Sequence, residues 1–125
     1  MTFPKFVEDF DPSDQKEYTW KFRLREGEGI LQAHVDPVDE TSTDIVDSPL
    51  VFGPISFGLD SANIWGVTQW LLPMVDPTLL VQTTVVIDPV APKFMAYLRC
   101  MITTDFAQPM PHEYTRTMRL WVRQT

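Results

Sequence analysis

Two alternating runs near the end of the chain constrain the fold more than any other feature. Every second residue of segment 94–102 is apolar, and segment 115–123 alternates in the same way around Met118, Leu120 and Val122. Alternation with a period of two is typical of strands with one buried face. Prolines lie between the two runs and favour a turn. The sequence therefore predicts an antiparallel hairpin at an edge of a β-sheet protein.

Further segments extend this pattern into an all-β fold. The other strand candidates are residues 18–24, 30–35, 50–59, 64–72 and 81–87, of which 50–59 is irregular. We expect Gly27 and Gly29 to form a hairpin loop between the first two strands, and Gly66 to mark a bulge. Eleven prolines leave no room for a long helix. Seven short, regularly spaced strands favour a single immunoglobulin-like antiparallel β-sandwich over residues 17–125.

The first sixteen residues are predicted to form an extended N-terminal arm. Pro4 and Pro12 disfavour a helix, and acidic residues surround Phe3, Phe6 and Phe10. Aromatic side chains on an extended segment need a surface that buries them. Two alternatives remain open: the arm packs on its own domain, or it docks on a neighbouring molecule through these phenylalanines.

Charge and hydropathy exclude several classes of function. The net charge of −7 repels phosphate backbones, so we expect no nucleic-acid partner. No apolar run approaches the ~18 residues of a membrane span, and no signal-peptide pattern opens the sequence. The single cysteine, Cys100, lies on the apolar side of its strand, which is typical of a protein assembled in a reducing cytoplasm.

Catalytic and metal-binding motifs are weak throughout the sequence. The segment around Ser56 departs from the Gly-x-Ser-x-Gly elbow of serine hydrolases, and the two histidines, His34 and His112, are far apart. Acidic residues in segment 36–48 suit calcium chemically, but their spacing fits no standard calcium loop. We therefore predict no catalytic residue, no cofactor and no metal site, and leave open whether this acidic loop binds a cation.

The outward side of the final hairpin is the best candidate for a binding surface. If Phe94 and Leu98 face inward, the opposite side carries residue types that are enriched at protein interfaces. These residues are Met95, Tyr97, Met101, Arg119 and Trp121. The alternative is that the chain's own arm or long loop covers this side. We predict an interface, because one small domain does not easily bury both sides of a sheet.

Several segments resemble a family of small virion proteins of tailed bacteriophages, described as fibre–tail adaptors. The resemblance covers roughly residues 11–24 and 64–123. The motifs that carry it are residues 11–20, the Thr/Val-rich 83–87, the Ile-Thr-Thr of 102–104 and the arginine-rich 116–123. The chain departs from the family in two loops. Residues 88–92 replace a glycine-rich turn, and residues 36–60 look like an insertion.

The resemblance implies a β-sandwich that multimerises at the neck or tail of the virion and joins fibres or other components to the head–tail assembly. It implies partners among portal, tail-adaptor, tail or fibre proteins and copies of the chain itself, with assembly in the host cytoplasm and no enzymatic activity. Two alternatives remain: a capsid decoration protein, and a carbohydrate-binding module that uses Trp65, Trp70 or Trp121 as a sugar platform.

Overall fold

A computed structural model describes residues 3–60, 62–74, 93–105 and 112–123, and every regular element in these ranges is a β-strand. No helix within these ranges is long and apolar enough to cross a membrane. The strands are β1 (Lys16–Phe22), β2 (Ile30–Val38), β3 (Val51–Leu59), β4 (Trp65–Leu72), β5 (Lys93–Thr104) and β6 (His112–Arg123).

The strands form two antiparallel sheets of three strands each. Sheet I has the order β1-β4-β3, and sheet II has the order β2-β5-β6. The predicted hairpin is confirmed as β5 and β6, which pair from Lys93↔Arg123 to Thr104↔His112. The described residues contain six strands where the sequence predicted seven. The candidate strand at 81–87 lies outside the described residues.

Alternation explains why these segments become strands. All five apolar residues predicted on one side of β5, from Phe94 to Ile102, are buried, and the residues between them are half-buried. The same holds on β1, where Tyr18, Trp20 and Phe22 are buried. Each large apolar side chain removed from water contributes about 1.5–3 kcal/mol to folding.

The two sheets share one hydrophobic core. Trp20 and Val67 of sheet I belong to the same buried cluster as Leu98 and Leu120 of sheet II. A cluster with members on both sheets requires the sheets to pack face to face, so the arrangement is sandwich-like.

Two local predictions are wrong. The first two strands do not form a hairpin, because β1 pairs with β4 whereas β2 pairs with β5. The turn between β1 and β2 crosses from one sheet to the other.

Gly66 marks no bulge, since its register with β1 and β3 is regular. A Cβ at Gly66 would lie 3.3 Å from the Thr19 methyl group, so a glycine here serves close packing across the strands. The shifts in register lie between Phe52 and Ile55, and between Ile30 and Gln32.

The N-terminal segment lies alongside β6 of its own chain. Parallel bridges join Lys5 to Arg119 and Phe10 to Val122. The backbone N–H of Phe10 donates to the carbonyl of Trp121 at 2.9 Å, and the N–H of Arg123 donates to the carbonyl of Phe10 at 3.0 Å. Of the two alternatives for the arm, the structure shows the first: residues 3–10 pack on the arm's own domain.

Candidate functional site

The outward side of sheet II brings the predicted interface residues together. Met95 pairs with Trp121, and Tyr97 pairs with Arg119, so these four form two adjacent rows, with Met101 further along β5. All five residues are half-buried. They are therefore neighbours on one face, as the alternation predicted.

The chain itself covers part of this outward side. The loop between β2 and β3 reaches it through Ser42, whose hydroxyl lies 2.6 Å from that of Thr117 and whose carbonyl accepts a hydrogen bond of 3.2 Å from the Arg99 guanidinium. The N-terminal segment reaches it through Phe3, which stacks edge-on against Tyr97 and accepts a 2.7 Å hydrogen bond from Arg119 at its carbonyl. The free area of this face is correspondingly small.

The three phenylalanines of the arm differ in how far they are buried. Phe10 is 0% exposed and belongs to the core, so in this conformation its side chain reaches no partner. Phe6 is half-buried, with its ring centroid 4.8 Å from that of Tyr18 and 5.0 Å from that of Trp20. Phe3 is half-buried against Tyr97.

A second surface, which sequence reasoning missed, lies on β3. Ile55, Phe57 and Leu59 are 36%, 42% and 52% exposed, and we call these three residues the β3 patch. In register they lie opposite Gln69, Val67 and Trp65 of β4. Val67 and Gln69 face the core, and residues directly opposite each other across a ladder share a side of the sheet. The β3 patch therefore lies on the core-facing side of sheet I, but at the edge of the sheet, where its side chains remain exposed to solvent.

The sequence carried one signal for this patch. Residues 55, 57 and 59 alternate, but Gly53, Pro54 and Gly58 interrupt the segment, and this suggested an irregular edge. Alternation alone would also have predicted that these apolar residues are buried. The register with β4 shows that these residues are on the core-facing side, and their exposed fractions show that nothing in the described structure covers them fully.

A cleft of about 670 Å³ opens at one end of the two sheets, and we call it the loop cleft. The turn between β1 and β2 forms one wall, the turn between β3 and β4 forms another, and Asp105 follows the end of β5. Trp65 and Leu59 supply its apolar surface. Of the tryptophans proposed as a sugar platform, Trp65, Trp70 and Trp121 are all half-buried.

A buried carboxylate fixes one wall of the loop cleft. The Glu28 side chain is 0% exposed. It accepts hydrogen bonds from the Thr104 hydroxyl, from the Arg25 N–H at 3.1 Å and from the Tyr114 hydroxyl at 3.2 Å. Burial alone would raise the pKa of Glu28. The hydrogen bonds and the nearby charge of Arg25 outweigh burial and hold the pKa below its ordinary value.

The acidic loop is organised by its own backbone. One carboxylate oxygen of Asp39 accepts from the N–H groups of Thr41 and Thr43 at 3.1 and 2.9 Å, and from the Thr41 hydroxyl at 2.8 Å. Asp36 instead lies 3.2 Å from His34. Among the described residues, no group of three or more histidine, cysteine or acidic side chains is arranged to hold a metal ion.

Together these features define an all-β, two-sheet protein with an apolar patch on β3 and a polar cleft at one end. No family model matches the sequence, and no curated protein and no solved structure matches it either.

Proposed function

We propose that this chain is a structural virion protein of a tailed bacteriophage, an adaptor in the neck or tail that joins components through repeated protein–protein contacts. The observation that carries the proposal is the β3 patch. Three apolar side chains on the core-facing side of a sheet remain 36–52% exposed. Soluble domains rarely expose contiguous apolar residues unless a partner covers them.

The partner that we propose for the β3 patch is a second copy of this chain. β3 contains nine residues and none of them is charged, whereas the whole chain carries a net charge of −7. Two such acidic molecules repel each other over most of their surface. An uncharged apolar strand is where two copies approach with the least repulsion and the greatest gain from burial.

The fold that we propose in finer detail is immunoglobulin-like. In that fold the fourth strand of the B-to-G series lies between the first and third, and the fifth lies between the second and sixth. The orders β1-β4-β3 and β2-β5-β6 follow this scheme. The N-terminal segment that runs parallel to β6 adds a further edge to sheet II.

Support for a place in a phage virion comes from the resemblance of residues 11–20, 83–87, 102–104 and 116–123 to the adaptor family. Small rigid sandwiches suit such a role, because many copies around a symmetric joint turn weak contacts into a durable assembly. Phe3, Tyr97 and Trp121 on the outward side of sheet II form the proposed contact with other virion components.

Particles assembled in cells that express the chain with its neighbouring genes provide the test. We expect mass spectrometry to find the chain in purified particles, and cryo-electron microscopy to place its copies at the neck or tail. Copies spread over the whole shell would identify a decoration protein and contradict the adaptor role. Absence of the chain from purified particles would contradict a virion role altogether.

A further inference from the structure

The loop cleft has the dimensions and chemistry of a ligand site, and we propose that it binds a neutral saccharide. Its volume of about 670 Å³ falls within the roughly 300–1,000 Å³ that small-molecule sites occupy. The turn that crosses between the two sheets and the turn between β3 and β4 both line it, so a ligand would contact two separate loops. This activity goes beyond the adaptor role and does not depend on it.

Trp65 supplies the surface against which a sugar ring would pack. The indole is half-buried and lines the loop cleft beside Leu59, its partner in register on β3. One edge of the indole lies against Gly29, since a Cβ built at Gly29 would be 3.5 Å from the Cζ2 atom of Trp65. A rigid, partly exposed aromatic ring offers a flat apolar area to the C–H face of a pyranose.

Polar side chains that have no hydrogen-bond partner among the described residues line the cleft together with this aromatic surface. Within the part of the chain that the structure describes, Arg23, Glu26 and Asn63 line the cleft, and their side chains make no hydrogen bond or ion pair. Arg23 can only donate hydrogen bonds, Glu26 can only accept them, and Asn63 can do both. Sugar hydroxyls also donate and accept, so one polyhydroxylated ligand can satisfy all three side chains.

The turn between β3 and β4 presents Asn63 in a fixed position. One carboxylate oxygen of Asp60 accepts hydrogen bonds from the N–H groups of Ala62 and Ile64, at 2.8 and 2.9 Å. The backbone of Asn63 is left-handed, with a φ of 61°. Asn63 therefore lies between two residues, Ala62 and Ile64, whose backbones are both hydrogen-bonded to Asp60.

Charge selects for a neutral ligand. Arg23 and Arg25 line the cleft together with Glu26, Glu28 and Asp105, so both signs are present at close quarters. A polyanion would meet these carboxylates and the chain's overall charge of −7. A cationic ligand would be attracted by the carboxylates but would also meet the two arginines. A neutral, hydroxyl-rich molecule meets neither repulsion and can bond to groups of both signs.

Titration of the full-length chain with maltotetraose, cellotetraose and chitotetraose tests the proposal, with inorganic phosphate as an anionic comparison. Binding is followed by calorimetry and by the NMR signal of the Trp65 indole N–H. The informative variants are Asn63→Gly, which keeps the left-handed backbone while removing the amide, and Arg23→Gln. Ser42→Gly is the matched control, because Ser42 also has a positive φ of 59° but lies in the loop between β2 and β3.

We expect at least one tetrasaccharide to bind saturably below about 10 mM. Asn63→Gly and Arg23→Gln should each weaken that binding at least about fivefold, and Ser42→Gly should leave it unchanged. Failure of all three tetrasaccharides to bind overturns the proposal, as does binding that both cleft variants leave unchanged. Preference for phosphate overturns the ligand class. Leu59 belongs to both the β3 patch and the cleft, whereas Ile55 and Phe57 do not line the cleft. The adaptor role is therefore tested separately, through substitution of Phe57.

Discussion

The hydroxyl of Thr104, at the end of β5, donates a hydrogen bond to the buried carboxylate of Glu28 in the turn that follows β1. Tyr114, near the start of β6, is a further donor to Glu28. These hydrogen bonds therefore connect the turn that crosses between the two sheets to the end of β5 and the start of β6.

Glu28→Gln should lower the free energy of unfolding by about 1–3 kcal/mol, because it removes the negative charge that strengthens these hydrogen bonds and replaces one of the two acceptor oxygens by an amide N–H₂. Denaturant titration measures the loss. Glu26→Gln, two residues away and exposed, is the control and should change stability by less than about 0.5 kcal/mol. Equal effects from both variants would show that the buried network contributes little.

The contribution of Glu28 should disappear in acid. Its pKa in the folded protein lies below the ordinary value of 4.5, so the stabilisation is present above that value and is lost as pH falls through the folded pKa. The pKa values of Asp39 and Asp60 are also lowered by hydrogen bonds from their own loops, so the difference between wild type and Glu28→Gln isolates the effect. Unfolding measured from about pH 7 to about pH 3 should show this difference shrinking. A constant difference would contradict the assignment.

The N-terminal arm should contribute to the stability of the domain through Phe10. Phe10→Ala removes a fully buried ring and should cost about 3–5 kcal/mol. Val7→Ala, at a residue that is 94% exposed on the same arm, should change stability by less than about 0.5 kcal/mol. Hydrogen exchange supplies a second measurement, since the amide of Arg123 donates to the carbonyl of Phe10 and should lose protection in Phe10→Ala. If the two variants behave alike, the arm is not anchored in this way.

Two glycines of β3 should respond in opposite ways to alanine. A Cβ at Gly53 would lie 3.0 Å from two carbon atoms of the Leu72 side chain, so Gly53→Ala should destabilise the protein by about 1–3 kcal/mol. A Cβ at Gly58 would have no neighbour within 4 Å, so Gly58→Ala should be neutral or should stabilise by about 0.5 kcal/mol. Thermal unfolding of the two variants checks the contrast, and the reverse order would contradict the packing of β3 against β4.

Local patterns predicted where the described strands lie, and on β1 and β5 they also predicted the buried faces. On β5 and β1 each second side chain enters the core, so the alternation carries the structural information directly. The pairing of strands could not be predicted in the same way. The glycine-containing turn after β1 looks like a hairpin loop, but the strand partners are chosen by long-range burial, which places β1 beside β4 and β2 beside β5.

The candidate sites were harder to predict than the fold. Glu28 stands between two glycines and two residues after Glu26, and it looks like an exposed turn residue. Its partners, Thr104 and Tyr114, lie more than seventy residues away along the chain and approach only after both sheets have formed. The outward side of β5 was predicted from alternation, but no local pattern shows that Ser42 and Phe3 come back to cover part of it.

Sedimentation velocity of the purified chain tests the central claim, self-association through the β3 patch, most directly. Phe57→Asp places a charge in the patch, while Ser56→Asp places the same charge on the neighbouring residue, which faces the opposite side of sheet I. We predict that wild type and Ser56→Asp associate as concentration rises to about 100 µM, and that Phe57→Asp remains a monomer. A wild-type chain that stays monomeric throughout, or a Phe57→Asp variant that associates as wild type does, would contradict the account.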